Sequence, residues 1–350
     1  MGAVTGIQWT DSTMNGWLGC AKVGPGCDHC YAEAALDNRL RLVNWGHGQP
    51  RKHTSASYWE QPKRWNDTPF FECAHCHWRG TDRDRKKAFA RHGKCCLEMD
   101  LRPARRRVFC SSLSDVFDNE VPQLWRTQLF ALIYDTPNLD WLLLTKRIGN
   151  ATRMMREDPP ESIAREVGAG LPNVWIGATV VNQEEADRDI PKLLATPARL
   201  RFLSMEPLLG PVDLRLLEYS GARERDGSGT VLTTRRRALD WVIVGGESGI
   251  NARPLQLEWV RSLVQQCKAA GAPVHVKQLG QFVLDDGMSS PGQHWPITTV
   301  REENPAYRFS TDQEPPPAFV IRLKDRKGGS WKEWPADLRV REFPEVQCPA

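Results

Sequence analysis

At 350 residues, with 40% hydrophobic, 26% charged and 9% aromatic residues, the chain has the profile of a globular protein and none of the bias of a disordered or collagen-like one. No apolar run approaches the roughly 20 residues of a membrane span, and the start, MGAVTGIQWTDSTMNGW, lacks the basic and apolar regions of a signal peptide, so a cytosolic protein with no membrane partner is expected. The net charge of +4 is small but uneven: residues 61–107 hold 13 Lys or Arg against 6 Asp or Glu.

Near the N-terminus, Ile7–Thr10 reads as a first strand feeding the loop GCAKVGPGCDHCYAE. That loop carries Cys20, Cys27 and Cys30, and Gly24, Pro25 and Gly26 keep it irregular enough for three thiolates to converge. Ten cysteines in a reducing compartment suggest metal ligation rather than disulfides. Three thiolates suit a 4Fe-4S cluster with one iron left open, whereas a fourth ligand from His29 would close a zinc site.

Next comes a basic insertion, Gln61–Arg107. Cys73 and Cys76, followed by His92 and then Cys95 and Cys96, have zinc-finger-like spacing, with Cys73, Cys76, Cys96 and either His92 or Cys95 as the tetrahedral set. A second iron-sulfur cluster and unliganded thiols are the alternatives. Arg79, Arg83, Arg85, Lys86, Lys87, Arg91 and Lys94 would decorate this unit, pointing to an anionic partner such as nucleic acid or, more blandly, to a solvated face.

From Arg107 onward, short apolar runs alternate with amphipathic stretches. The runs Val108–Cys110, Trp141–Thr145, Val174–Ala178, Arg201–Met205, Asp240–Gly245 and Val274–Lys277 read as buried parallel strands. Gln123–Tyr134 and Trp259–Ala270 have one apolar face each, and Asn182 with Glu185 forms a candidate helix cap. The pattern predicts an α/β fold, a partial or complete (β/α) barrel, with a doubly wound open sheet as the alternative. Ser220–Ala238 reads as a polar loop, and the tail beyond Leu284, with Pro315, Pro316 and Pro317, as a wrapping extension. The expected organisation is residues 1–60 for the first strand and cysteine loop, 61–107 for the zinc-binding insertion, 108–285 for the remaining barrel and 286–350 for the extension. Polar residues come directly after the strands: Ser112 and Asp115, Lys146 and Arg147, Thr179, Glu206, Glu247, and Lys277 at the last strand's end. At the carboxyl rim of a parallel sheet these are candidate ligand contacts. Lys146 and Arg147 suit a cofactor carboxylate or a substrate phosphate, and Glu206 and Lys277 suit proton transfer or substrate binding.

The ordered strings TGIQWTDSTMNGWLGCAKVGPGCDHCYAE, SSLSDVFD, LLLTKR, NVWIGATV, FLSMEPLLGP, WVIVGGESG and VKQLG resemble the phage gene product 37/68 family over Thr5–Gly280, excluding the insertion. The three-cysteine loop after a first strand also resembles the radical S-adenosylmethionine superfamily, although three extra residues separate the first two cysteines. The resemblance implies that Cys20, Cys27 and Cys30 hold the cluster and that S-adenosylmethionine chelates the open iron. It implies an amino-group contact for the cofactor, from Ser112 or Asp115 by position or from Glu247 by its GGE motif, and an electron donor such as flavodoxin or ferredoxin. The expected function is radical modification or repair of a nucleobase or nucleic acid. The alternative is a non-enzymatic, metal-stabilised nucleic-acid-binding or regulatory protein.

Overall fold

The computed structural model describes residues 5–85, 101–215, 222–225, 231–234, 239–249, 251–285, 299–300 and 319–345. Seven strands form the main sheet: β1 (Ser12–Thr13), β2 (Arg106–Cys110), β3 (Leu139–Thr145), β4 (Val174–Thr179), β5 (Leu200–Met205), β6 (Trp241–Gly245) and β7 (Val274–Gln278). They pair in chain order, and every pairing is parallel. Helices α1 (Gln123–Tyr134), α2 (Ile148–Glu157), α3 (Ala164–Ala169), α4 (Gln183–Ala195) and α5 (Leu257–Ala270) lie in the crossovers. A doubly wound sheet reverses its strand order at a switch point, and this one does not, so the architecture is a curled half-barrel. Asn182 caps α4 as its sequence suggests, its side chain accepting a 2.9 Å hydrogen bond from the Glu185 backbone N–H.

Period-two alternation divides the sheet into two faces. Val108, Trp141, Ile176, Leu203 and Val242 join Leu129, Ile133, Leu193 and Leu263 of the helices in the larger core. The opposite face carries Phe109, Leu142, Trp175, Phe202, Trp241 and Ile243, which fill the concave interior together with Trp9. Trp9 is why Ile7–Thr10 looks like a strand and is not one. The apolar pattern there serves a plug, with the Trp9 ring 4.6 Å from Phe109 and 6.3 Å from both Phe202 and Trp241. The true first strand is polar and two residues long, buried because it pairs with Val108 and Phe109.

The segment that leaves the sheet between β1 and β2 is shorter than its charge suggests. Gln61–Asn66 is helical and places Trp65 in the larger core, while Arg106 and Arg107 belong to β2 and are buried. Their guanidinium groups lie over aromatic rings, Arg106 at 4.9 Å from Phe70 and Arg107 at 4.5 Å from Phe343. Burial, with repulsion from Arg79 next, pushes Arg107 down to about 10, so it remains charged at neutral pH. Between these limits, Phe71–Cys73 pairs with Arg79–Gly80 and Leu101–Pro103 in a small antiparallel sheet. Within the stretch read as a polar loop, Ala222–Arg225 and Val231–Thr234 pair as an antiparallel ribbon.

At the far edge, residues of the tail cover β7. The Val276 N–H donates to Val340 and the Glu342 N–H to Val274, both at 2.9 Å, and the Trp241 indole donates to the Glu342 carbonyl. Pro315, Pro316 and Pro317 lie outside the described residues. Among the described residues no helix is long and apolar enough to cross a membrane.

His275 sits in the interior between Trp241 and Phe343, fully buried, with neither ring nitrogen bonded. Burial first, then the positive charges of Arg341, Lys277 and Arg107, pushes its pKa down to about 3. The unfolded chain, with an ordinary histidine near 6.5, therefore binds a proton that the folded chain rejects between those values. Stability should fall by about 1.4 kcal/mol per pH unit as the pH drops from about 6.5 toward 3. Denaturant titrations of wild type and His275→Leu across this range should show that difference in slope, and parallel curves would refute it.

Candidate functional site

All seven strands run the same way, so their carboxyl ends share one rim. Counting up the interior register from Leu142, Trp175 and Phe202 brings Lys146, Thr179 and Glu206 to that rim, and Lys277 follows His275 on the same face. The Lys277 ammonium meets both Glu206 carboxylate oxygens, at 2.7 and 2.8 Å. This pair is half-buried and, like Asp115 with Arg147, is an acid-cation pair that sequence analysis placed at the rim and the structure brings together. Thr179 is buried at the end of β4.

The cysteine loop lies across this rim and touches the segments that leave five different strands. After β2, the Ser112 carbonyl accepts the Tyr31 hydroxyl, which extends from the residue next to Cys30. After β3, Arg147 donates to the Cys20 sulfur at 3.2 Å and to the Ala21 carbonyl at 2.8 Å. Gly26 packs against groups after β3, β4 and β5: a side chain there would lie 2.8 Å from Val181, 3.3 Å from Lys146 and 4.0 Å from Pro207. After β6, Glu247 meets the His29 ring at 2.9 Å. Arg253 completes the latch, donating to Glu247 at 2.8 to 3.0 Å, to Asp28 at 3.0 Å and to the Pro25 carbonyl at 2.9 Å. Gly24, Pro25 and Gly26 make this path possible as a single 3-10 turn, closed by the Cys27 N–H on the Gly24 carbonyl.

Several rim residues already have full sets of partners. Asp115 accepts from Phe117 N–H at 2.9 Å, Thr145 hydroxyl at 2.7 Å and Lys146 N–H at 3.0 Å, and it pairs with Arg147 at 3.3 Å. A cofactor amino group would have to displace these donors, so Asp115 is a brace. Burial raises the Glu247 pKa, but bonds from Arg253 and His29 outweigh it and hold the carboxyl below its ordinary range, which makes Glu247 a brace as well. Gly246, in the same GGE string, has a packing reason of its own: a side chain there would come within 2.3 Å of the Leu279 carbonyl oxygen. Ser112 hydrogen-bonds the Asn15 side-chain amide. Beneath the loop, the fully buried Arg51 pairs with Asp118 at 2.8 Å and Glu120 at 3.1 Å.

Cys20, Cys27 and Cys30 are free thiols, as is Cys73. Burial, then the nearby Asp115, pushes the Cys20 thiol up to about 12, with Arg147 opposing. Among the described residues no three His, Cys, Asp or Glu side chains are grouped so as to hold a metal ion. Cys73 and Cys76 occupy a hairpin end where the Cys73 N–H donates to Trp78 and His77 takes the left-handed conformation with φ of 55°. His92, Cys95 and Cys96 lie outside the described residues, as do Lys86, Lys87, Arg91 and Lys94. Of the remaining basic residues expected on the surface, Arg79 is instead mostly buried against Asp11 and Glu72, Arg85 pairs with Asp82, and Arg83 is exposed.

Sequence reasoning missed Arg253, Arg51 and the Tyr31 hydroxyl. Arg253 lies in a coil with no periodicity, and its partner Asp28 is 225 residues away, so no local signal exists. The latch predicts that Arg253→Ala frees the loop: thiol-reagent labelling of buried Cys27 should quicken at least about tenfold, as expected for losing charge-assisted hydrogen bonds. An unchanged rate would show that the loop holds without it.

No curated protein and no solved structure matches the chain. A family model described as a protein of unknown function matches residues 4–332, from the plug through the rim and into the tail. With nearly the whole chain matched, the protein belongs to the DUF5131 family.

Proposed function

We propose that this protein is a radical S-adenosylmethionine-like iron-sulfur enzyme of the type implied by its resemblance to the phage gene product 37/68 family, modifying or repairing a nucleobase or nucleic acid. The observation that carries the reading is the three-cysteine loop laid across the carboxyl rim of a parallel half-barrel, the end of such sheets where ligands bind. Three free thiols on one loop are the right kind and number of ligand for such a cluster, but their side chains are not grouped as a metal site in this structure, so the loop would have to draw them together on taking it up. When bound, the cluster with S-adenosylmethionine would supply one-electron cleavage of a carbon-sulfur bond and the hydrogen-abstracting power that results.

The chain's own residues would do the rest. Cys20, Cys27 and Cys30 would hold the cluster, with the loop kept in place by Arg253, Glu247 and His29. Lys146 offers a cation beside Gly26 for a carboxylate or phosphate, and Ser112 and Thr179 line the same rim. The Glu206 carboxylate and Lys277 ammonium can hold or exchange a proton facing the interior. The aromatic interior below them keeps water from the reacting side. Cys73 and Cys76, with Cys96 and either His92 or Cys95, would hold a structural zinc. Arg64, Arg83 and Arg102 are exposed for a polyanionic substrate. A small one-electron carrier such as flavodoxin or ferredoxin would serve as donor, and the reducing cytoplasm suits free thiols.

Anaerobic reconstitution followed by metal and sulfide analysis tests the reading. About four iron and four sulfide per chain are expected, along with about one zinc that remains when Cys20, Cys27 and Cys30 are replaced by Ser. Reduced protein should then cleave S-adenosylmethionine. Zinc in the loop with no iron would overturn the cluster, and an intact cluster without cleavage would favour a metal-stabilised binding protein.

A further inference from the structure

We propose that the base of the concave interior binds a small singly charged anion, a halide or nitrate, between the Arg107 guanidinium, the His275 ring and the Trp175 indole N–H. This site lies toward the amino end of β2, away from the cysteine loop, and is independent of the function proposed above. Arg107 shares the interior face with Phe109, and His275 shares it with Lys277. The contacts among the interior side chains close into a ring. Arg107 lies 5.8 Å from Trp175, Trp175 6.3 Å from Trp241, Trp241 6.0 Å from His275, His275 5.1 Å from Phe343, and Phe343 4.5 Å from Arg107.

Three members of this ring carry polar groups that the protein leaves unmatched. Both His275 nitrogens and the Trp175 indole nitrogen are sealed from solvent without a hydrogen-bond partner. Arg107 is 6% exposed, and among the described residues its guanidinium has no hydrogen bond and no ion pair, only ring faces. The carboxylates that reach it electrostatically are committed to other cations: Asp11 and Glu72 hold Arg79, and Asp140 lies 3.7 Å from Arg105. Arg341 adds a second positive charge near His275 and is bonded to backbone carbonyls, which do not neutralise it. A buried cation without a counter-charge is costly, and each buried N–H without an acceptor adds to that cost. Water would satisfy the indole and the imidazole but not the guanidinium charge, whereas an anion answers all three. The groups are mostly donors, so they suit an acceptor. Hydration cost grows with the square of the charge, so sulfate loses far more than bromide or nitrate on entering an apolar site. The residual exposure of Arg107 gives a small ion its way in from water.

Thermal unfolding of the full chain tests this, starting in sodium gluconate, whose anion is too large for the ring, and titrating sodium bromide, nitrate or sulfate at constant ionic strength. An ion that binds only the folded chain raises the midpoint saturably. Bromide and nitrate should do so at concentrations at least about tenfold lower than sulfate, and Arg107→Gln should raise the half-saturating bromide concentration at least about tenfold, as expected for loss of a charge-assisted hydrogen bond. Trp175→Phe, which removes the N–H and keeps an aromatic ring, should raise it as well. A wild-type midpoint that bromide does not raise overturns the proposal, as does an unchanged bromide response in Arg107→Gln. Sulfate acting as strongly as bromide also overturns it, because that is screening of surface charge. Should Arg107→Gln not fold, bromide-soaked crystals of wild type decide: an anomalous peak in contact with the Arg107 guanidinium and the His275 ring supports the site, and its absence there overturns it.

Discussion

Parallel pairing in strict chain order is the constraint on which the rest of this molecule depends. Each strand must be succeeded by a return crossover, so every strand end falls on one rim and every crossover starts there. The half-barrel this produces stops short of closing, which leaves a concave aromatic interior and a free edge. The chain answers both with segments from its two ends. Trp9 fills the interior from before β1, and the tail at Val340–Glu342 runs along β7. Interior rings such as Trp175 and Trp241 are fully buried, and removal of a core ring of this size typically costs about 3–5 kcal/mol, so the plug and the sheet are one folding unit.

Above the interior, polarity increases in layers. Phe109, Trp175 and Trp241 give way to Ser204, then to Lys146, Thr179, Glu206 and Lys277 at the rim. Hydrogen bonds and charges strengthen where water is excluded, so polar groups at the mouth of an apolar bowl interact more strongly there than on an open surface. The cysteine loop forms the roof of that mouth. Its fastenings are guanidinium hydrogen bonds on both sides, Arg147 to Cys20 and the Ala21 carbonyl at one end and Arg253 to Asp28 and the Pro25 carbonyl at the other, so its position is set by directional bonds while its own sequence remains irregular.

The buried charges have a cost that packing alone would avoid. Arg51, Asp118, Asp115 and Arg147 are all nearly excluded from solvent, and ion pairs of this kind contribute little net stability over apolar replacements. What they provide is geometry. Each carboxylate is held by several donors from different elements, which leaves few alternative positions for the loop they support. That economy leaves the Asp115 and Glu247 oxygens occupied by neighbouring donors, while Lys146, Glu206 and Lys277 stand at the mouth itself.

Six of the seven sheet strands were legible because a strand buried on both faces is a nearly continuous apolar run, and α1 and α5 because one helical face is apolar. The cysteine loop was legible from its glycines and spacing, and the strand-end positions of Lys146, Thr179, Glu206 and Lys277 came from counting along the strands. Where the reading failed, composition had stood in for location. Ile7–Thr10 is apolar because it fills a bowl, whereas Ser12 and Thr13 are polar yet buried because the sheet edge claims their backbone. Arg79, Arg106 and Arg107 count toward a basic segment but lie inside, against Asp11 and aromatic rings. Only tertiary structure could decide these, because a charge count carries no burial, and a contact such as Arg253 with Asp28 joins residues that no local pattern relates. Local sequence determined which segments become strands, helices and loop; the curling of the sheet determined which of their polar groups became braces and which stand at the open mouth.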